Sequence, residues 1–287
     1  MSTELPDTIL EEVLAAGAPP AALPAVAERI DIHVPSRHNP ALQAVMEAVR
    51  SDDELYAFWH CQNINAVARL GMSDHGPVHV QIVANIALRL LRLLLAAGAT
   101  PGIVRDHSLS KEDAEVVVVL AALLHDLGIA VHRDNHEEFS LFLADRRLPG
   151  LLLTAYPDPL TRTIVHAEVL HAIISHRSDG RPLTLEAGIV RVADALDMAK
   201  GRSRIPFEQG AVNIHSVSAM AIERISIAAG AQKAVRVTIA MRNSAGIFQL
   251  DSLLKEKLQG SGLEPYIEVE AAIEGGAETS IVQMFRL

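Results

Sequence analysis

The apolar run Val116-Val117-Val118-Val119-Leu120-Ala121-Ala122-Leu123-Leu124 ends in His125-Asp126-Leu127-Gly128, and this junction constrains the chain more than any other feature. An imidazole and a carboxylate at the end of such a run need partners, because burying an unpaired carboxylate costs several kcal/mol. Imidazole with carboxylate is a common ligand mixture for divalent transition metals. Gly128 loosens the helix end, so both side chains can turn toward one ion although neighbouring residues on a helix diverge. The pair reads as half of a metal site, and the rest of the chain must supply the other ligands.

Composition narrows the fold. The 287 residues are 49% hydrophobic but only 3% aromatic. An apolar content built from Ala, Leu, Val and Ile favours packed helices over a β-sandwich. The net charge of −10 argues against a nucleic-acid duplex as partner. The single cysteine, Cys61, excludes an intrachain disulfide and points to a reducing, cytoplasmic setting. The amino terminus lacks the basic region and apolar core of a signal peptide. The longest apolar stretches read as too short, or too interrupted by Arg89 and Arg92, to span a bilayer, so no membrane is expected. Of the 13 histidines, ten lie between His60 and His176, which marks one region where imidazoles can converge.

Three parts are expected. Residues 1–50 read as a helical amino-terminal extension broken by prolines. Residues 51–208 read as a helical core. Its expected helices cover about 51–70, 77–98, 111–126, 135–143, 159–176 and 184–200, with a loop at 99–110. Asn135 is expected to cap the fourth of these. Residues 209–287 change to period-two alternation, with strands near 221–227, 233–241, 266–273 and 279–287 and a helix between 246 and 258. The order ββαββ suggests a small antiparallel α+β domain. The fold class is therefore mainly α, an all-helical core with a smaller carboxy-terminal α+β domain.

Side-chain type and helix placement propose the remaining ligands. His79 lies in the first turn of its helix. Asp194, in Val192-Ala193-Asp194-Ala195-Leu196-Asp197, is a carboxylate inside an apolar helix. With His125 and Asp126 they form a four-ligand set that leaves coordination positions for water and substrate. Asp197, one turn on, reads as a residue that orients a neighbour.

The ordered set His79, His125-Asp126 and Asp194, in these local contexts, resembles the signature of the HD-domain superfamily of metal-dependent phosphohydrolases over about residues 51–208. The resemblance implies a helical HD-type core, one or two divalent ions (Mn, Fe, Ni, Co or Zn, with Mg also admissible), and hydrolysis of a phosphate ester or anhydride of a nucleotide-like substrate by a metal-activated hydroxide. Asp126 then takes a catalytic role. His136 resembles the additional histidine of binuclear members, and His176 the paired-histidine segment of the cyclic dinucleotide branch, so both are candidate ligands of a second metal. The chain departs from that branch: Ile129 stands where its lysine is usual, and no Gly-Tyr-Pro follows His176.

Charge developing on a phosphoryl group requires cations. Arg177 and Arg181, then Lys200, Arg202 and Arg204, are the candidates for phosphate binding, with Arg177 and Arg202 also given catalytic roles. Strand edges in the carboxy-terminal part suggest a homodimer. Two rival functions use the same residues: a di-iron oxygenase, and a non-catalytic regulator that senses a nucleotide.

Overall fold

The computed structural model describes residues 30–177, 179–198, 218, 220–273 and 284–286. The chain divides at Ile30/Asp31, and all that follows concerns Asp31–Leu287, one compact unit. The core is helical, in order α1 (Pro40–Ser51), α2 (Asp53–Asn63), α3 (Pro77–Ala96), α4 (Gly102–His107), α5 (Lys111–Leu124), α6 (His136–Leu152), α7 (Pro159–Ser175) and α8 (Leu185–Leu196). A π-helical turn, Ile64–Arg69, extends α2, and a 3-10 turn, Leu127–Ala130, joins α5 to α6.

Helix α5 is the axis of this core. A capping box between Ser110 and Asp113 starts it, with each side chain accepting from the other's backbone N–H. Every residue from Val116 to Leu124 is fully buried. Such a helix, apolar on all sides, needs neighbours on all sides: α3, α7 and α8 pack against it, as does α1. Helix α1 buries Leu42, Val45, Met46 and Val49 in this same core. Trp59 of α2 is fully buried and donates from Nε1 to the Leu123 carbonyl at 3.0 Å.

Several sequence expectations need correction. Helix α3 is 20 residues long, and its length and apolarity would suffice to cross a bilayer. Its apolar residues are instead spent on the core, where Val80, Val83, Ala84, Ala87, Leu88, Leu90, Leu91 and Leu94 are buried. The expected loop at 99–110 contains α4, because the buried Glu186 carboxylate accepts from the backbone N–H groups of Gly102 (2.8 Å) and Ile103 (2.9 Å). Asn135 stands at the start of α6 in a left-handed conformation, φ 58°, and makes no side-chain cap.

The carboxy-terminal part carries β1 (Ile222–Ala229), β2 (Val235–Met241), β3 (Ile267–Ile273) and β4 (Met284–Arg286) in spatial order 1-2-3-4. Pairs β1–β2 and β3–β4 are antiparallel, but β2 and β3 run parallel, with Val237 opposite Val269. The sheet is therefore mixed and not antiparallel. The cause is the helical connection 244–258 between β2 and β3, since a crossover of that length returns the chain in the same direction. Its last turn, Lys255–Leu258, packs on α8, which brings this part of the chain to the core. The boundary expected at 208/209 lies outside the described residues.

Candidate metal centre

Six expected ligands come from five places. His79 stands on the first full turn of α3, and Asp194 near the end of α8. His125 and Asp126 follow α5, where the helix gives way to the 3-10 turn. His136 opens α6, and His176 follows α7. Gly128 permits this convergence. A Cβ there would lie 1.9 Å from the His136 carbonyl oxygen and 2.6 Å from the Ser140 backbone nitrogen. Its own N–H donates to Ser140 Oγ at 2.8 Å, so the turn and α6 are locked in contact.

The side chains gather into two sets that share Asp126: His79 with His125 and Asp126, and His136 with His176 and Asp126, all buried. Asp126 Oδ2 lies 3.3 Å from His79 Nε2 and 3.4 Å from His125 Nε2. Its other oxygen, Oδ1, lies 3.2 Å from His136 Nε2 and 3.9 Å from His176 Nε2. Asp194 Oδ1 joins the first set at 3.7 Å from His79 Nε2 and 3.6 Å from His125 Nε2. One carboxylate thus faces two groups of imidazoles, one oxygen to each.

The other ring nitrogen of each histidine is anchored. His79 Nδ1 is 2.6 Å from Asp197 Oδ2, His125 Nδ1 is 2.8 Å from the Ala122 carbonyl, and His176 Nδ1 is 2.6 Å from the Ile173 carbonyl. His136 Nδ1 is 3.0 Å from the Arg133 carbonyl and 3.1 Å from Glu137 Oε2. At His79, His125 and His176 the acceptor at Nδ1 places the proton there and turns the Nε2 lone pair inward, the arrangement that metal-binding histidines use. Two consequences test the fit to a metal. Buried His79 Nε2 and His125 Nε2 have no hydrogen-bond partner. His136 Nε2 and His176 Nε2 face each other at 3.4 Å. Unsatisfied buried acceptors and opposed lone pairs are costly unless a cation sits among them. The donor set, imidazole nitrogen with carboxylate oxygen, suits a divalent transition metal.

The electrostatics agree. Burial alone would raise Asp126, but His125, His136 and His79 hold it well below the usual carboxylate range. Burial opposes the charged form of Asp194 too, and the neighbouring His125 imidazole and the Lys257 charge overcome it. Burial pushes His125 down, yet Asp126 and Asp194 raise it to about 10. His176 moves the other way: burial, reinforced by His125 and Lys257, lowers it to about 3. The two carboxylates therefore demand positive charge, and without a metal a proton on His125 supplies it.

The expected phosphate-binding residues are not so gathered. Arg177 follows His176, but its described contacts are to Glu138 and to Asp179, with Nε 3.0 Å from Asp179 Oδ1. Arg181 is exposed. Lys200, Arg202 and Arg204 lie outside the described residues. His171, five residues before His176, accepts at Nε2 from the Leu183 backbone N–H at 3.1 Å and holds the turn before α8. His75 is buried, its ring 5.2 Å from that of His79, with Nδ1 2.7 Å from the Ser73 carbonyl.

Three residues went unread in the sequence. Lys257, in the last turn of the 244–258 connection, places Nζ 3.7 Å from Asp194 Oδ2 and donates to the His176 carbonyl. Arg191 of α8 is buried and donates to the Lys257 carbonyl at 2.9 Å, to Gly180 at 2.9 Å, to Glu256 at 3.2 Å and to Arg177. Arg133 lays Nη1 against the His136 ring, 2.6 Å from Nδ1. An arginine inside the apolar stretch Val190-Arg191-Val192 was a visible signal; Lys257 carried none.

Comparison with known proteins agrees with this geometry. The HD domain family matches residues 78–199, a span that opens one residue before His79 and closes beyond Asp197. The chain is similar to an uncharacterized protein of Methanocaldococcus jannaschii, MJ1020, with 41% identity over 230 residues, 80% of this chain and 88% of that protein. No solved structure matches.

Proposed function

The chain belongs to the HD-domain family, and on that premise we propose that it is a metal-dependent phosphohydrolase that cleaves a phosphate ester or anhydride of a nucleotide-like substrate. The observation that carries the reading is Asp126, whose two oxygens face separate imidazole sets while His79 Nε2 and His125 Nε2 are buried without hydrogen bonds. His79, His125, Asp126 and Asp194 would hold one divalent ion, and His136 and His176 with Asp126 a second. Bound there, such ions supply activated water and Lewis acidity toward a phosphoryl group.

The protein's own residues do the rest. Asp197, and the carbonyls of Ala122 and Ile173, fix the imidazole tautomers. The apolar wall of α5 excludes bulk water behind the ligands, which strengthens every charge interaction in the site. The reading extends to a cytoplasmic homodimer, whose mass light scattering checks and whose compartment cell fractionation checks.

The test is metal analysis with activity, on protein purified without a histidine tag. Parent protein is expected to hold two ions per chain and to release phosphate from members of a panel of nucleotides and simple phosphoesters. His125→Ala should lose most metal and all turnover, and His136→Ala should keep about one ion. Parent protein that takes up no Mn, Fe or Ni would sink the catalytic reading. Iron-dependent oxygen consumption without phosphate release would replace it with oxygenase chemistry.

A further inference from the structure

A cation from outside the helical core reaches this centre. Lys257 sits in the Lys255–Leu258 turn, beyond two strands of the carboxy-terminal part. Its side chain is only 14% exposed. Its ammonium touches a residue of each imidazole set, the Asp194 carboxylate at 3.7 Å and the backbone carbonyl of His176. Asp194 is split between two cationic directions: Oδ1 faces His79 and His125, and Oδ2 faces Lys257. Arg191 fixes the turn by holding the carbonyls of Glu256 and Lys257 as well as those of Arg177 and Gly180. The position of the ammonium is thus built by both parts of the fold.

We propose that Lys257 is the phosphate-oxygen-binding cation of the centre, so that the carboxy-terminal part supplies a substrate contact and not only a covering. This rests on the phosphohydrolase reading above. An ammonium has three N–H donors. The His176 carbonyl and Asp194 take two directions, and the third serves a phosphate oxygen lying between the two ligand sets. Arg177, by contrast, is engaged by Glu138 and Asp179. Lys257 also satisfies a general demand of phosphoryl transfer, a fixed positive charge beside the equatorial oxygens in a site shielded from water.

The experiment titrates inorganic phosphate into metal-loaded protein by calorimetry, with metal content measured on the same samples. Lys257→Met keeps the stem and removes the charge; Lys257→Arg keeps the charge. Lys257→Met should retain the parent's metal and bind phosphate about tenfold or more weakly, the effect of losing one charge-assisted hydrogen bond. Lys257→Arg should recover most of the affinity. Undiminished phosphate binding in Lys257→Met overturns the assignment while leaving phosphohydrolase chemistry intact. Loss of metal in Lys257→Met also overturns it, because Lys257 would then be positioning Asp194 and His176. A metal-loaded parent that neither binds phosphate nor cleaves any phosphoester brings down the phosphohydrolase reading and this assignment together.

Discussion

His125 concentrates the electrostatics of the centre. Fully buried, it is nonetheless raised to about 10, because Asp126 and Asp194 outweigh the cost of burying its charge. Its value in the unfolded chain is near 6.5. A group raised in the folded state stabilises fully below its unfolded value, and the gain disappears as pH climbs through the folded one. Protein stripped of metal with a chelator is therefore expected to lose melting temperature between about pH 6.5 and 10. His176 has the opposite sign. Lowered to about 3, it stabilises above 6.5 and loses this as pH falls. A bound cation takes over the role of the proton on His125, so metal-loaded protein should show a much flatter alkaline limb. Melting curves across this range, with and without chelator, decide it; equal alkaline losses in both samples would rule out the exchange of proton for metal. At this scale the sequence was largely legible. His79, His125, Asp126 and Asp194 announced themselves as polar residues in apolar helices, and Asp197 as an orienting partner one turn on. The contacts of Arg177 with Glu138 and Asp179 were not legible, because ion pairing between half-buried and exposed side chains leaves no pattern in spacing.

Helices carry the ligands, and the joints between them set the distances. The tightest joint is the Leu127–Ala130 turn, where Gly128 meets the backbone of α6. The Gly128→Ala change puts a methyl group where the His136 carbonyl now lies, and neither neighbour is a flexible side-chain tip. Either α6 moves outward or the turn distorts, at about 1–3 kcal/mol by comparison with overpacked cores. Because α6 begins at His136, the second ligand set should suffer first. Gly128→Ala is expected to keep most of one metal ion and lose most of the other, with lowered resistance to urea. Elemental analysis beside urea denaturation checks this; full occupancy with unchanged stability would show that the joint yields freely. Helix existence was read correctly where apolar periodicity is long, as in α3 and α5. It failed at α4, since a six-residue helix capped by a carboxylate 84 positions away has no local signature. Parallel pairing of β2 with β3 was equally hidden, because alternation gives strands but not their direction.

Across the molecule from Asp31 on, the helical core meets the carboxy-terminal part in two places: β1 and β2 pack on α3, and the 244–258 connection packs on α8. Arg191 is the fastening: one guanidinium, buried, serves carbonyls on both sides of the junction. The sequence suggested three parts, with a change from helical to alternating pattern before the third, but nothing in period or composition showed that the third part reaches the ligands of the second. That contact joins residues 63 positions apart, Asp194 and Lys257, and depends on the crossover returning to the core. The physical consequence is coupling between stability and binding. Replacing Arg191 with Met removes the guanidinium that donates to four half-buried or exposed backbone carbonyls, which should cost roughly 2–4 kcal/mol. It also frees the Lys255–Leu258 turn, so Lys257 no longer holds its place beside Asp194. Phosphate affinity should therefore fall in Arg191→Met well below its melting temperature, although Arg191 donates to backbone carbonyls and not to the ligand cluster. Metal content should change less than phosphate affinity, because His79, His125 and Asp126 are positioned by α3 and α5. Guanidinium denaturation gives the stability term, and phosphate titration at low temperature gives the binding term. Loss of stability with phosphate affinity unchanged would mean that the turn keeps its place without the fastening, and that the two parts of the chain are energetically independent at the site.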